Sequence, residues 1–369
     1  MKKLLALGTV VLFIFACSSS DDTTIDPDPG PDPDPASFDR GVMLANWADN
    51  IIIPSYEAFS ASLNDLESAF ADFNTTTDQT NLDALRAAWL DAYKAWQYVS
   101  MFENGPAETI LLRSQINTYP TDVLLISSHI ANGGYDFALP ANRDSKGFPA
   151  LDYLLFGLAD NDADILSAFD ADHLTYVQDI IDDMQANTDQ VLSDWNSTYR
   201  DTFVANDGSS ATASTDRMVN DFIFYYEKFL RAGKMGIPLG VFSGTQAPTT
   251  VEAYHNAEVS NELFLEGLQA VQDFFNGKHF ASADTGESLS SYLITLDQPS
   301  LSQQINVQFN SARNGVSGLF PFRMELENND PAIAMLAAYD EVQKAVPVLK
   351  VDMLSALSIS VDFVDADGD

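Results

Sequence analysis

The sequence predicts an all-α protein built as two packed helical bundles, with a short extended tail at the C-terminus. Three observations predict it. Apolar residues recur at alternating spacings of three and four, the mark of helices that each bury one stripe. No alternating strand pattern of comparable length appears; only Ser358 to Val364 (SISVDFV) alternates briefly, as a short terminal strand or extended tail would. The polar stretch Asn206 to Thr215 (NDGSSATAST) divides the body into halves of similar size, 38–205 and 216–369, each with several long helices. Hydrophobic residues make up 46% of the 369, with 24 Phe and 13 Tyr, enough to bury a sizeable core.

Taken in order, the chain opens with Lys2 and Lys3 and then a short apolar run, Leu4 to Ala16, too short to span a bilayer comfortably, which needs about 20 residues. It ends Ile14-Phe15-Ala16-Cys17, followed by serines and acids. This resembles a bacterial lipoprotein signal: 1–16 is removed and lipid is carried on Cys17. The expected location is the outer membrane, on its periplasmic face or at the cell surface, since several acyl chains on one Cys anchor firmly. Residues 17–37 then form a tether. Its Asp-Pro repeats fix φ and repel one another, which makes an extended spacer.

The first helical stripe is Ile52, Tyr56, Phe59, Leu63, Leu66, Phe70 and Phe73. The second is Leu82, Leu85, Trp89, Ala92, Trp96 and Val99, with Asp78 or Thr80 as N-cap. The third is Leu174, Val177, Ile181, Met184, Val191 and Trp195. After the break come Met218, Phe222, Tyr225, Phe229 and Ala232, capped by Ser214 or Thr215. Phe264, Leu268, Val271 and Phe275 make the fifth stripe, and Leu336, Tyr339, Val342, Val346 and Leu349 the sixth. Trp89, Trp96 and Trp195 fall at core spacing and are read as core.

Charge narrows the function. Asp and Glu total 54 against 18 Lys and Arg, a formal net charge of −36. Setting aside Lys2, Lys3 and the six aspartates between Cys17 and Ser37 leaves the body at −32. Such a surface is repelled by phosphate backbones, which excludes a nucleic-acid partner. The single cysteine excludes an intrachain disulfide and a Cys/His zinc cluster. With four His in the chain, a metal site would lean on carboxylates.

The chemistry concentrates between the helices. From Gly105 to Gly157 the chain is rich in Pro, Gly and polar side chains, and it contributes Glu108, Arg113, Tyr119, Asp122 and the run Gly147-Phe148-Pro149-Ala150-Leu151-Asp152. Pro149 suits the first turn of a helix, and Asp152 lies in the opening turns, where the helix dipole favours a carboxylate. Its neighbours Leu151, Leu154 and Phe156 would bury it, and a buried carboxylate needs a partner; Arg113 and Arg323 are the candidates. A second polar island, Ser311 to Glu325, contains Arg323, and the two islands are expected to meet in an interdomain cleft. The candidate binding set is therefore Asp152, Glu108, Arg113, Tyr119, Asp122 and Arg323.

Tyr153-Leu154-Leu155-Phe156-Gly157, together with Asn50 to Tyr56 (NIIIPSY), the helix holding Trp89 and Trp96, the Gly105-Pro106 turn and the terminal Asp365-Ala366-Asp367-Gly368-Asp369, resembles the imelysin family of insulin-cleaving and iron-regulated proteins. That resemblance implies two related bundle domains, an exported protein, and a tie to bacterial iron uptake, with iron, haem or an iron-uptake protein as partner and iron or another divalent cation as cofactor. The family's Gly-x-His-x-x-Glu motif reads Gly147, Pro149 and Asp152 here. Proline has no side-chain nitrogen to ligate a metal or take a proton, and one carboxylate alone is a weak zinc site. His129, the nearest histidine in sequence, is the remaining candidate to replace it. The terminal acids lack the later ligands of an EF-hand loop. The first expectation is thus a non-catalytic, lipid-anchored binding protein of iron uptake. The alternatives are a metallopeptidase of the same family and a structural or partner-binding surface lipoprotein.

Overall fold

The computed structural model describes residues 38–363, so Cys17, the tether and the acidic residues 365–369 lie outside the described residues. Among the described residues the regular structure is helical; the β-type pairing is an isolated bridge between Lys278 and Thr285. Helix α1 (Arg40–Asn46) is capped by Asp39, whose side chain accepts from the Val42 N–H. It runs through a wider π-type segment, Trp47–Ile52, into α2 (Ile53–Thr75). Asp78 caps α3 (Gln79–Val99) by accepting from the Asn81 N–H, as its position predicts. Then follow α4 (Val123–Asn132), the short α5 (Gly147–Asp152), and α6 (Ala171–Asp194).

The polar stretch 206–213 leads into α7 (Ser214–Phe224), which continues as a π-type segment from Tyr225 to Gly236. Neither Ser214 nor Thr215 caps α7. Ala213 holds the N-cap position without a side-chain bond, while Ser214 and Thr215 are buried in the first turn. The Ser214 N–H donates instead to the Asn206 carbonyl (3.0 Å), and the turn carries Asp216, whose carboxylate suits a helix start and pairs with Arg40 at 3.6 Å. Helices α8 (Ser260–Phe275), α9 (Pro299–Ser317) and α10 (Ile333–Gln343) complete the second half.

Helix α2 packs on α3 and α6, and α9 packs on α8 and α10. The halves are joined where α8 lies along α3. There the Tyr98 hydroxyl donates to Glu266 at 3.0 Å, Lys94 pairs with Glu262 at 2.5 Å, and Trp47 meets Phe274 at 4.7 Å between ring centroids. The contacts bind Phe38 onward into one compact unit. Trp89, Trp96 and Trp195 are fully buried. Phe148 stacks on Tyr93 at 4.3 Å and meets Phe59 at 6.1 Å, which fastens α5 to the core of the first half. The C-terminal segment forms no strand in its described residues. Ser358 turns the chain left-handed at φ 56°, and the next residues lie extended along α7, tied by Asn220 to the Ser360 carbonyl and the Asp362 N–H.

Candidate functional site

Asp152 ends α5 and is 1% exposed. Neither expected arginine binds it. Its two carboxylate oxygens accept from the backbone N–H groups of His255 (2.7 Å) and Asn256 (2.8 Å), more than one hundred residues away. A loop with left-handed Ala253 (φ 55°) and Ala257 (φ 64°) turns these successive amides toward the carboxylate. Burial raises the Asp152 pKa to about 7, while the two amides and the field of Arg323 act the other way. Arg323 itself lies over the Tyr254 ring at 4.1 Å, donates to the Tyr254 carbonyl at 2.8 Å and pairs with Glu327.

Two glycines make this corner possible. Gly147 has φ +70°, and a Cβ there would lie 2.1 Å from the Ile116 carbonyl oxygen. A Cβ at Gly157 would lie 2.3 Å from His255 Nδ1, so the imidazole fills the space a side chain would need. His255 rests against Tyr153 and Tyr254, each 5.1 Å away between ring centroids. Burial, and then Arg323, push its pKa down to about 4, so it is neutral at pH 7.

Asp152, Pro149, His255 and Tyr119 line a cavity of about 220 Å³. Tyr119 and Pro120 also line a neighbouring cavity of about 320 Å³, whose wall includes Arg113, Lys228, Phe229 and Ile237. A chamber of about 20 Å³, room for about one water, lies against Arg113, Asn117, Tyr119, Phe229 and Lys234. Tyr119 therefore touches all three spaces. Its hydroxyl has no hydrogen-bond partner among the described residues. Burial, and then the charge of Glu252, hold its phenol well above the usual tyrosine range, so it keeps its proton.

Beside the chamber, Lys234 is 4% and Glu252 1% exposed, and they form an ion pair. Lys234 also donates to Gln97 (2.9 Å), and Asn117 donates to Glu252 (2.8 Å). Arg113 is buried. It donates to the Ser100 carbonyl (2.6 Å) and to Asp221 (2.9 Å), and its guanidinium lies 4.5 Å from the centre of the Phe229 ring.

Of the six candidate residues, the fold brings Arg113, Tyr119 and Asp152 to these adjoining spaces. Arg323 stands behind Tyr254. Glu108 pairs with Arg217 at 2.5 Å and lines a different hollow, with Glu103 and Asp221. Asp122 caps α4, accepting from the Leu124 and Leu125 N–H groups. His129 bonds the Tyr176 hydroxyl at 3.1 Å and lines neither cavity at Tyr119. Sequence reasoning missed Lys234, Glu252 and His255; the first two follow no motif, and His255 registers only as one of four histidines.

The imelysin family profile matches residues 52–347. This chain belongs to the imelysin family. A curated relative, iron-regulated protein A of Synechococcus elongatus, is 23% identical over 305 residues, covering 80% of either chain. Two solved structures share the fold at a TM-score of 0.70 and 17% identity. They are a putative iron-regulated protein A precursor from Parabacteroides distasonis (87% of this chain, 96% of that one) and an imelysin-like protein from Psychrobacter arcticum (90% and 99%). In this imelysin Pro149, the residue that the sequence resemblance sets against the motif histidine, faces the smaller cavity with no donor atom on its side chain. Among the described residues no three His, Cys, Asp or Glu side chains converge to hold a metal ion. The motif residues present here do not fit a metal.

Proposed function

We propose that this imelysin is a non-catalytic, lipid-anchored binding component of bacterial iron uptake, with its ligand site in the cavities that meet at Tyr119. The observation that carries the reading is the use made of Asp152. Each of its oxygens accepts from a backbone amide, and in this buried setting a carboxylate so engaged holds two chain segments together rather than activating water. The iron connection is supported by the family and by a relative that is named iron-regulated protein A.

The test is a titration of the mature protein with ferric citrate, haem and ferrous ion. Micromolar affinity for a ferric complex or haem, weakened at least tenfold by Phe229→Ala, supports the reading. No measurable affinity for any of them removes the iron role. Stoichiometric bound metal together with chelator-sensitive cleavage of a peptide would establish the metallopeptidase instead. Anchoring is tested separately: Cys17→Ser should move the protein from the membrane fraction to the soluble one and abolish fatty-acid labelling.

A further inference from the structure

We infer that the larger cavity at Tyr119 takes a small organic anion, a carboxylate on an apolar body, and discriminates against bare cations. This rests on the site location proposed above and adds the class of ligand. The argument begins with charge. The chain carries three carboxylates for each base, yet the lining of this cavity contains no Asp or Glu; its charged residues are Arg113 and Lys228. A recess lined by one sign of charge concentrates ligands of the other sign, here against the field of the whole surface.

Four polar groups of the lining have a donor to spare, and none of them is a carboxylate. Lys228 forms no ion pair or side-chain hydrogen bond among the described residues, although acidic groups abound. Arg113 spends Nε and Nη2 on the Ser100 carbonyl, the Met101 carbonyl and Asp221, which leaves Nη1 without a hydrogen bond among the described residues. The Tyr119 and Ser114 hydroxyls likewise have no partner there. The charge of Arg113 is already met by Asp221 and Glu103, so Lys228 supplies the unpaired cation, and the Arg113 Nη1 group and the two hydroxyls add donors that match an anionic acceptor; charge-assisted bonds of this type are the strong ones. The apolar part of the wall is Pro120, Phe229 and Ile237, which suits an apolar or aromatic body, beside the neutral Asn117, Thr118, Gly233 and Thr250. At about 320 Å³ the cavity stands near the small end of ligand sites, which run from about 300 to 1,000 Å³.

The probes are 2-naphthoate, its uncharged counterpart 2-naphthamide and the cation 2-naphthylmethylamine, titrated calorimetrically at pH 7 and low salt. The expected order is naphthoate at least tenfold tighter than naphthamide, with the amine weakest. Lys228→Met, at an exposed position where folding is not at risk, should weaken naphthoate about fivefold and leave naphthamide unchanged; Phe229→Ala should weaken both. Equal affinity for acid and amide, preference for the amine, absence of binding by all three, or indifference to Lys228→Met overturns the inference. Should naphthoate fail while ferric complexes still bind in a Phe229-dependent way, the ligand class is wrong and the site reading stands. Should naphthoate bind as expected while ferric complexes and haem do not, the iron role is wrong and the anion site stands.

Discussion

Asp152 and Glu252 are equally buried carboxylates a few residues from the same tyrosine, and the protein satisfies them in opposite ways. Asp152 meets two backbone amides, fixed dipoles that cannot rearrange without moving the loop at 253–257. Glu252 meets a lysine and an asparagine, side chains that also face the small chamber under the larger cavity. The difference separates a rigid backbone tie from a side-chain network. The first carboxylate joins the two halves of the chain, whereas the second anchors side chains that line the small chamber.

The largest effect should come from breaking the side-chain pair. Lys234→Met leaves Glu252 buried without its cation and should cost about 3–5 kcal/mol of unfolding free energy. Denaturant unfolding of Lys234→Met beside the double variant Lys234→Met/Glu252→Gln checks it: the double variant should recover much of the loss. If both are equally destabilised, the lysine contributes packing and the contrast with Asp152 collapses.

Asp152→Asn removes one acceptor from two N–H groups and should cost about 1–3 kcal/mol. The penalty should depend on pH. Because burial raises the folded pKa to about 7, the folded chain keeps a proton that the unfolded chain releases near pH 4. The stabilisation by protonated Asp152 is full below about pH 4 and is lost as pH rises toward 7, by at most ~1.4 kcal/mol per pH unit. The gap between wild type and Asp152→Asn should therefore shrink from pH 4 to pH 7. A gap that widens would show that the carboxylate is held ionised.

A comparable effect, through packing instead of hydrogen bonding, is expected from Gly157→Ala. The added methyl meets the end of the His255 side chain, which must shift, at about 1–3 kcal/mol. Thermal unfolding reads the cost, and the His255 imidazole resonances should move with it. Smallest of all is Pro149→His, which restores the motif residue. It should not create a stoichiometric zinc site by metal analysis, because Asp152 remains bound to its amides. Tight zinc binding by that variant would mean the amides yield the carboxylate readily, and the distinction between the two corners would fail.

Much of the scaffold is legible without coordinates. The stripes from Ile52 to Phe73 and from Leu82 to Val99 predict α2 and α3, and Asp78 marks where α3 begins, because helical periodicity and N-capping act over a few residues. The Ser214 and Thr215 caps fail for the same reason in reverse: local preference yields when tertiary packing buries the hydroxyls. The candidate site is only partly legible. Arg113, Tyr119 and Asp152 stand out within one polar stretch, but Asp221 and His255, which bind Arg113 and Asp152, and the neighbouring pair Lys234 and Glu252 come from the other half of the chain.

What the sequence determined alone is the helical class, the buried aromatic stripes and the strongly acidic composition. Each follows from composition or from interactions within a few turns. Only the tertiary structure decided that Asp152 pairs with amides rather than arginine, that Asp122 caps a helix while Glu108 pairs elsewhere, and that a strongly acidic chain has a cavity with Arg113 and Lys228 but no carboxylate in its lining. Those outcomes depend on which segments pack together across more than one hundred residues, where a burial cost must be met by whatever partner the fold brings near.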